Sequence, residues 1–220
     1  MHIQNKNIER FALFGATGRT GIPLIKQGLA AGYAINAFVR TPSKLTVTHP
    51  NLQVIQGDVM QKADVERAIL GTDAVISVLG HVPGGNTPAN MQTTAIDHII
   101  AIMQDQNISR LISLTGAGVR VAEDKPKLID KIVGLILKLT QGKILKDAEN
   151  HFELIQKSAD IEWTVVRGPM LTEKPAVGSI KSGYLGQEIG IQLTREDLAK
   201  FMLDQLQSED WMRKAPVVSN

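Results

Sequence analysis

The sequence predicts an α/β fold, a single domain built on a doubly wound parallel sheet with helices on both faces. Three observations carry that prediction. Short apolar runs alternate with segments of helical apolar spacing along most of the 220 residues, which is the pattern of repeated strand–helix–strand units. The stretch 73–79, Asp73-Ala74-Val75-Ile76-Ser77-Val78-Leu79, is nearly continuous in apolar residues, as a strand covered on both faces requires. A glycine-rich turn, Gly15-Ala16-Thr17-Gly18-Arg19-Thr20-Gly21, separates the first apolar run from the first helical one.

The elements follow in order. Phe11-Ala12-Leu13-Phe14 reads as a short buried strand, and Ile22, Leu24, Ile25 and Leu29 recur at helical spacing after the glycine turn. A second strand is expected over 33–39 and a third over 52–55, ending at Gly57-Asp58. A short helix over 64–70 closes at Gly71, where glycine suits a helix C-terminus. The strand at 73–79 opens into a Gly/Pro loop over 80–88, and a long helix is expected from 89 to 106. A fifth strand at 111–114 opens into Thr115-Gly116-Ala117-Gly118. Two helical segments, 126–140 and 143–158, precede a sixth strand at 163–166. Thr194 is a candidate cap for a last helix reaching about residue 207, with Glu196 and Asp197 in its first turn, where acids suit the helix dipole. No repeat, low-complexity stretch or linker divides the chain, so 1–220 is expected to form one Rossmann-like domain, its substrate-side wall drawn mainly from 120–190.

Composition narrows the function. Apolar residues at 43% and charged residues at 21% are ordinary for a globular chain. With a net charge of +2 and only 4% aromatics, a nucleic-acid surface is not expected. The absence of cysteine excludes disulfides, thiolate chemistry and Cys-type zinc sites. Residues 1–7 lack the apolar core of a signal peptide, and no run approaches the roughly 18 apolar residues of a membrane helix. The expectation is a cytoplasmic protein with no membrane partner.

In a doubly wound sheet the binding crevice lies at the carboxyl ends of the strands. The segments that matter are therefore 15–21, 40–44, 57–59, 80–87, 115–118 and 167–172, and the chemically suggestive residues fall there. Strand, glycine turn and helix form the context in which such glycines bind a dinucleotide. Gly15 lets the chain turn off the strand, Gly18 lets backbone N–H groups approach a pyrophosphate, and Gly21 is expected to let the helix pack close to the sheet. The first N–H groups of the helix, at the positive end of its dipole, favour the diphosphate. The spacing is G-x-x-G-x-x-G. Some 20 residues on, an NAD binder carries an acid for the ribose 2′-hydroxyl, whereas a cation accommodates the 2′-phosphate of NADP. Here Arg40 follows the second strand, with Ser43 and Lys44 close by and no acid among them. Either these are solvated surface groups, or they select NADP(H) over NAD(H), which is the preferred reading.

Gly15 to Gly21, Gly57-Asp58-Val59 and Asp73-Ala74-Val75-Ile76-Ser77 together resemble the atypical short-chain dehydrogenase/reductase superfamily. Ile161-Glu162-Trp163-Thr164-Val165-Val166-Arg167-Gly168-Pro169 is similar to the sixth-strand segment of its NAD(P)H-binding, NmrA-like branch. Leu193-Thr194-Arg195-Glu196-Asp197-Leu198-Ala199-Lys200-Phe201-Met202-Leu203 resembles the final helix of the flavin reductase/biliverdin reductase B-like group. The resemblance implies that Gly15, Thr17, Gly18, Arg19, Thr20 and Gly21 form the phosphate turn and that Arg40 meets the 2′-phosphate. It implies that Asp58 and Val59 border the adenine, that Leu79 and Gly80 lie along the ribose and nicotinamide, and that Thr115 stands near the nicotinamide. Asp58 also reads as a helix cap. The chain departs from the superfamily's Tyr-x-x-x-Lys pair: the lysine slot falls at Lys146, and Gly142 stands where the tyrosine would be. Met170 occupies a place where a histidine follows the sixth-strand proline in some relatives.

The chemistry must then come without a tyrosine acid, which flavins and quinones tolerate because the reactivity belongs to the cofactor. His81, in the loop beyond the fourth strand, is a candidate for proton delivery, and Thr115 is the second catalytic candidate. His98 and His151 read as helix residues without catalytic company, and no metal-ligand spacing is present. Met170, Leu171 and Tyr184 are candidate substrate-wall residues. The apolar stretch 128–139 reads first as core, with a substrate cover or a subunit contact as alternatives. Two function classes stay open. One is an NADP(H)-dependent reductase of a flavin, quinone or similar conjugated small-molecule acceptor, in which a flavin would be substrate. The other is a non-catalytic NADP(H) sensor of NmrA type, acting through a protein partner. A homodimer is compatible with both.

Overall fold

The computed structural model describes residues 7–81 and 87–220. The elements are β1 (Arg10–Phe14), α1 (Gly21–Ala30), β2 (Ala34–Val39), β3 (Leu52–Gln56), α2 (Lys62–Ile69), β4 (Ala74–Ser77), α3 (Met91–Asp105), β5 (Arg110–Gly116), α4 (Leu128–Lys157), β6 (Glu162–Gly168), β7 (Met170–Thr172), β8 (Lys181–Gly183), β9 (Gln192–Thr194), α5 (Arg195–Asp204) and β10 (Val217–Ser219). The main sheet has the order β3-β2-β1-β4-β5-β6-β10-β8. Its pairs are parallel except that of β8 with β10. The order reverses between β1 and β4, which places the topological switch point, and hence the crevice, at the carboxyl ends of those two strands.

Strand alternation explains why the central runs are apolar throughout. On β1, Phe11 and Leu13 join one core cluster with Leu24, Ile25, Leu198 and Met202 of α1 and α5. Ala12 and Phe14 point the other way, to a second cluster with Val65, Ile99, Met103 and Ile155 of α2, α3 and α4. Both faces are buried, so both alternating positions must be apolar. Gly28 lies where α1 packs on the sheet: a Cβ there would lie 3.1 Å from Ile35 Cδ1 and 3.2 Å from Phe11 Cζ. Thr194 caps α5 as expected, its hydroxyl accepting from the Asp197 N–H at 3.1 Å.

The helices expected at 126–140 and 143–158 are both present: they follow one another within α4 and are separated at Gln141, whose φ of −133° and ψ of 30° are not helical. The structure departs from the sequence reading in two places. The strands β5 and β6 run further than their apolar cores, so Thr115 and Arg167 belong to strands and not to the turns after them. The short strands β7 to β10 were not legible, each being only three residues long.

Candidate functional site

The turn between β1 and α1 is built so that side chains are excluded from it. Gly15 has φ +87°, and a Cβ on it would stand 2.9 Å from the Val78 carbonyl oxygen on the neighbouring strand end. Both facts demand glycine. The Gly18 N–H returns to the Gly15 carbonyl at 2.9 Å, and the Ile22 N–H to the Gly18 carbonyl at 3.1 Å, which closes the turn into the helix. Gly18 is exposed. A Cβ there would approach only the Gly15 carbonyl oxygen, at 3.1 Å. Gly21 departs from its expected role. Its Cβ would fall 2.3 Å from the Gly15 oxygen and 2.6 Å from the Ala16 oxygen, so it closes the turn on itself, and Gly28 is the residue that admits the sheet.

Thr20, buried at the helix start, does not cap α1 with its side chain. Instead its hydroxyl accepts from Arg195 Nη1 at 2.9 Å. With its oxygen serving as acceptor there, the Thr20 hydroxyl proton is left to donate elsewhere. Arg195 Nε donates to Glu173 at 2.8 Å, and Arg19 lies 3.6 Å from the same carboxylate. Arg19 and Glu173 are largely solvated, so that second contact contributes little stability. Sequence reasoning missed Arg195, because Thr194-Arg195-Glu196-Asp197 reads simply as a cap and a first turn.

Arg40 stands at the end of β2, exposed, and Ser43 and Lys44 sit exposed in a single 3₁₀ turn over Pro42–Lys44. The Arg40 side chain makes no ion pair with any described residue, so the three form an open group of donors beside the crevice. After β3, a Cβ on Gly57 would stand 2.6 Å from the Phe38 ring. Asp58 is exposed, and its Oδ1 accepts from the Met60 N–H at 3.0 Å, so the carboxylate helps turn the chain toward α2. Val59 is buried in the core, and its carbonyl lies 3.0 Å from His98 Nδ1. At the end of β4, Leu79 is half-buried and Gly80 is exposed with nothing crowding it.

A buried polar group lies on the other side of the switch point. Asp147, on the inner face of α4, accepts from His81 Nε2 at 2.8 Å, from the N–H groups of Gln92 and Thr93, and from the Thr93 hydroxyl at 2.6 Å. Burial alone would raise its carboxyl, but the bonds from Thr93 and His81 outweigh it and hold the group below the usual carboxylate range. Four residues on, His151 Nε2 meets the Ser113 hydroxyl of β5 at 3.0 Å. His151 therefore has the polar company that the sequence did not reveal: the spacing i, i+4 puts Asp147 and His151 on one face of α4, turned to the sheet. Burial pushes the His151 imidazole down to about 4, against the opposing pull of the Asp147 charge, so it is neutral at pH 7. Thr115 lies on the same face of β5 as Ser113. It is buried, and its hydroxyl finds no hydrogen-bond partner among the described residues. Lys146 projects from the outer face of α4. Residues 82–86 of the expected 80–87 segment lie outside the described residues.

The substrate wall is only partly assembled from the expected residues. Met170 and Leu171 fall on β7, the first exposed and the second packed against the core. Tyr184 follows β8 at the far edge of the main sheet, its ring 5.8 Å from that of Trp211. The structure does not bring it together with the other two. Arg167, missed as a functional residue, is fully buried in β6 and holds Asp124 through two bonds, at 2.7 and 2.9 Å, with further bonds to the Ala215 and Val119 carbonyls. Burial would raise the Asp124 carboxyl, but the Arg167 guanidinium and nearby N–H groups hold it low. This clamp fixes the loop after β5 along an open cleft of about 440 Å³, lined by Gly118, Arg120, Val121, Gly134, Lys138 and Leu145 among others. Beyond the cleft, Leu128, Ile132, Leu135, Ile136 and Leu139 of α4 are exposed, so these residues are not core.

The turn, the switch point and the strand-end residues lie together at the carboxyl ends of β1 and β4. A family profile described as NAD(P)H-binding matches residues 15–209. The chain belongs to this family. Among curated relatives, an uncharacterized chloroplastic protein of Arabidopsis thaliana is 26% identical over 178 residues, 76% of this chain and 60% of its own length. The uncharacterized protein YwnB of Bacillus subtilis is 26% identical over 163 residues, 70% of this chain and 69% of its own. The chain thus spans between three-fifths and seven-tenths of these relatives' lengths. Among solved structures, the oxidoreductase ylbE of Lactococcus lactis superposes with a TM-score of 0.79 at 20% identity, over 96% of this chain and 90% of that one. A short-chain dehydrogenase/reductase of Veillonella parvula in complex with NADP gives 0.77 at 18% identity, over 97% and 95%. At such identities these likenesses establish the fold. Among the described residues, no helix is long and apolar enough to cross a membrane.

Proposed function

We propose that the protein is an NADP(H)-dependent oxidoreductase that reduces a flavin, a quinone or a similar conjugated acceptor without a Tyr-x-x-x-Lys pair. The observation that carries this is the turn 15–21, which lies directly at the switch point and leaves the Gly18 backbone exposed before α1 with no side chain over it. Two further features fit the same group. Arg40, Ser43 and Lys44 offer exposed donors at and just after the end of β2, where a 2′-phosphate would lie. The orphaned Thr115 hydroxyl stands at the end of β5, and a buried hydroxyl without a partner is costly unless a ligand supplies one. When bound, NADPH supplies a hydride. The chain's own residues do the rest: the turn and the first N–H groups of α1 hold the pyrophosphate, Arg40 selects the 2′-phosphate, Asp58 and Val59 border the adenine, Leu79 and Gly80 line the ribose side, and Thr115 orients the nicotinamide.

The finer placement in the NmrA-like branch and the flavin reductase/biliverdin reductase B-like group rests on the segments 161–169 and 193–203, and a cytoplasmic location accompanies it. The sensing reading is favoured by one observation, the exposed apolar side chains of α4, on which a protein partner or second copy could sit. Titration of the purified protein with NADPH and NADH, followed by turnover with FMN and a soluble quinone at the reduced-nicotinamide absorbance band, separates the two. NADPH binding with turnover above the protein-free rate supports the reductase. Tight binding without turnover supports the sensor, and no binding of either nucleotide refutes both.

A further inference from the structure

Reduction of a quinone or flavin consumes a proton as well as a hydride, and this chain lacks the tyrosine–lysine pair that would manage it. The His81–Asp147 contact has the geometry for that task. Both lone-pair faces of the Asp147 carboxylate are taken: Oδ2 by His81 Nε2 and the Gln92 N–H, Oδ1 by the Thr93 N–H and hydroxyl. Three of those four donors come from the first turn of α3, whose dipole also favours an anion. An ionised carboxylate can only accept, so Nε2 carries a hydrogen whether the His81 ring is neutral or cationic. Proton exchange is thereby confined to Nδ1. The ring cannot swivel freely, since its side chain is only 7% exposed. It also follows Leu79 and Gly80 directly at the end of β4, beside the switch point. The other titratable group nearby on α4, His151, is buried against Ser113 and stays neutral, so it does not compete.

We propose that His81 is the acid that protonates the acceptor and that Asp147 is a positioning residue that fixes its tautomer. This rests on the NADP(H) reductase reading and narrows the acceptor to one that gathers charge on an oxygen or nitrogen as it is reduced, as a quinone or flavin does. The hydride from NADPH forms a new bond to the acceptor, which gains two electrons while the nicotinamide is oxidised. The displaced electron pair collects on the conjugated heteroatom and takes the Nδ1 proton of the His81 imidazolium, which is left as the neutral ring with its hydrogen on Nε2. The Nδ1–H electron pair stays on the ring, which regains a proton from water.

Two measurements test the assignment. In ¹⁵N NMR of the cofactor-free protein, the neutral His81 ring is expected as the Nε2-protonated tautomer. Asp147→Asn, which offers an amide donor in place of an acceptor, is expected to mix or invert it. In turnover, His81→Gln retains a donor toward Asp147 but cannot exchange a proton, and kcat is expected to fall about a hundredfold or more. The NADPH dissociation constant is expected to stay within about twofold, which separates a chemical defect from a binding one. Added imidazole is expected to restore part of the activity of His81→Gly. An Nδ1-protonated ring, or a His81→Gln variant that binds NADPH and turns over like its parent, overturns the proposal alone. A parent protein that binds no NADPH overturns the cofactor reading, and this proposal with it.

Discussion

Valine at Gly18 and alanine at Gly21 act on the same turn by different routes, and the structure gives the size of each. Gly18 is exposed and does not have a positive φ, and its Cβ would meet only the Gly15 carbonyl oxygen at 3.1 Å. That oxygen must give by a few tenths of an ångström, while loss of glycine's freedom in the unfolded chain offsets about 0.4–1 kcal/mol. Stability of Gly18→Val is therefore expected within about 1 kcal/mol of the parent, a Tm change of no more than about 2–4 °C for a domain of this size. On the proposed function, however, its two methyl groups stand where a pyrophosphate would approach the backbone, and NADPH binding is expected to weaken at least about a hundredfold, or 2.7 kcal/mol. Gly21→Ala is the reverse case. A Cβ 2.3 Å from one backbone oxygen and 2.6 Å from another cannot be relieved by a rotamer, so the turn itself must open. The expected cost is about 3 kcal/mol, at the upper end of overpacking, with Tm lower by about 6–12 °C. Differential scanning calorimetry and isothermal titration of both variants check this. A Gly18→Val protein that folds and binds NADPH like the parent refutes the assignment of the turn to phosphate.

Three further outcomes follow from the same geometry. Because Arg40 is exposed at the end of β2 and makes no ion pair among the described residues, NADPH is expected to bind at least about tenfold tighter than NADH, about 1.4 kcal/mol, and Arg40→Asp to abolish or reverse that preference in parallel titrations. Arg167→Met leaves the Asp124 carboxylate buried without its cation, held only by the Val121 and Leu185 N–H groups, and is expected to cost about 3–5 kcal/mol in urea denaturation, part of it recovered in Arg167→Met/Asp124→Asn; an equally unstable double variant would refute a charge-pair account. The His151 imidazole is depressed from 6.5 to about 4 by burial, so the unfolded chain takes up the proton first. Stability is then fully present above pH 6.5 and falls by about 3 kcal/mol as pH drops from 6.5 to 4; His151→Gln is expected to flatten that decline.

What the sequence disclosed and what it hid divide by range along the chain. The glycine turn, the strand cores and the Thr194 cap were legible because each rests on residues within one or two turns of one another, where spacing alone carries the physics. The elements of three residues, β7 to β10, hold too few positions for a period to show. The polar group was hidden for a different reason. His81 and Asp147 are 66 positions apart, Ser113 and His151 are 38 apart, and Arg195 and Thr20 are 175 apart. His81 and Thr20 were singled out one by one, but nothing local gives the partner of either, and only the order of the strands brings the pairs together. One signal was available: an acid and a histidine four apart, on a helix whose other inward positions are Ala148, Phe152 and Ile155, are too polar for that face unless each has a partner.

The same distinction separates the glycines. Gly15 is fixed by its positive φ and the Val78 carbonyl, and Gly21 by the Gly15 and Ala16 oxygens, so the fold alone demands both, whereas at Gly28 a Cβ would require the ends of the Ile35 and Phe11 side chains to give by a few tenths of an ångström. Gly18 is different, since the protein's own atoms crowd it least and its backbone would accept another residue. A turn needed only for its shape would carry no constraint there. If Gly18 tolerates substitution in stability yet not in nucleotide binding, the ligand is what holds that position to glycine. The fold then accounts for Gly15 and Gly21, and the phosphate for Gly18.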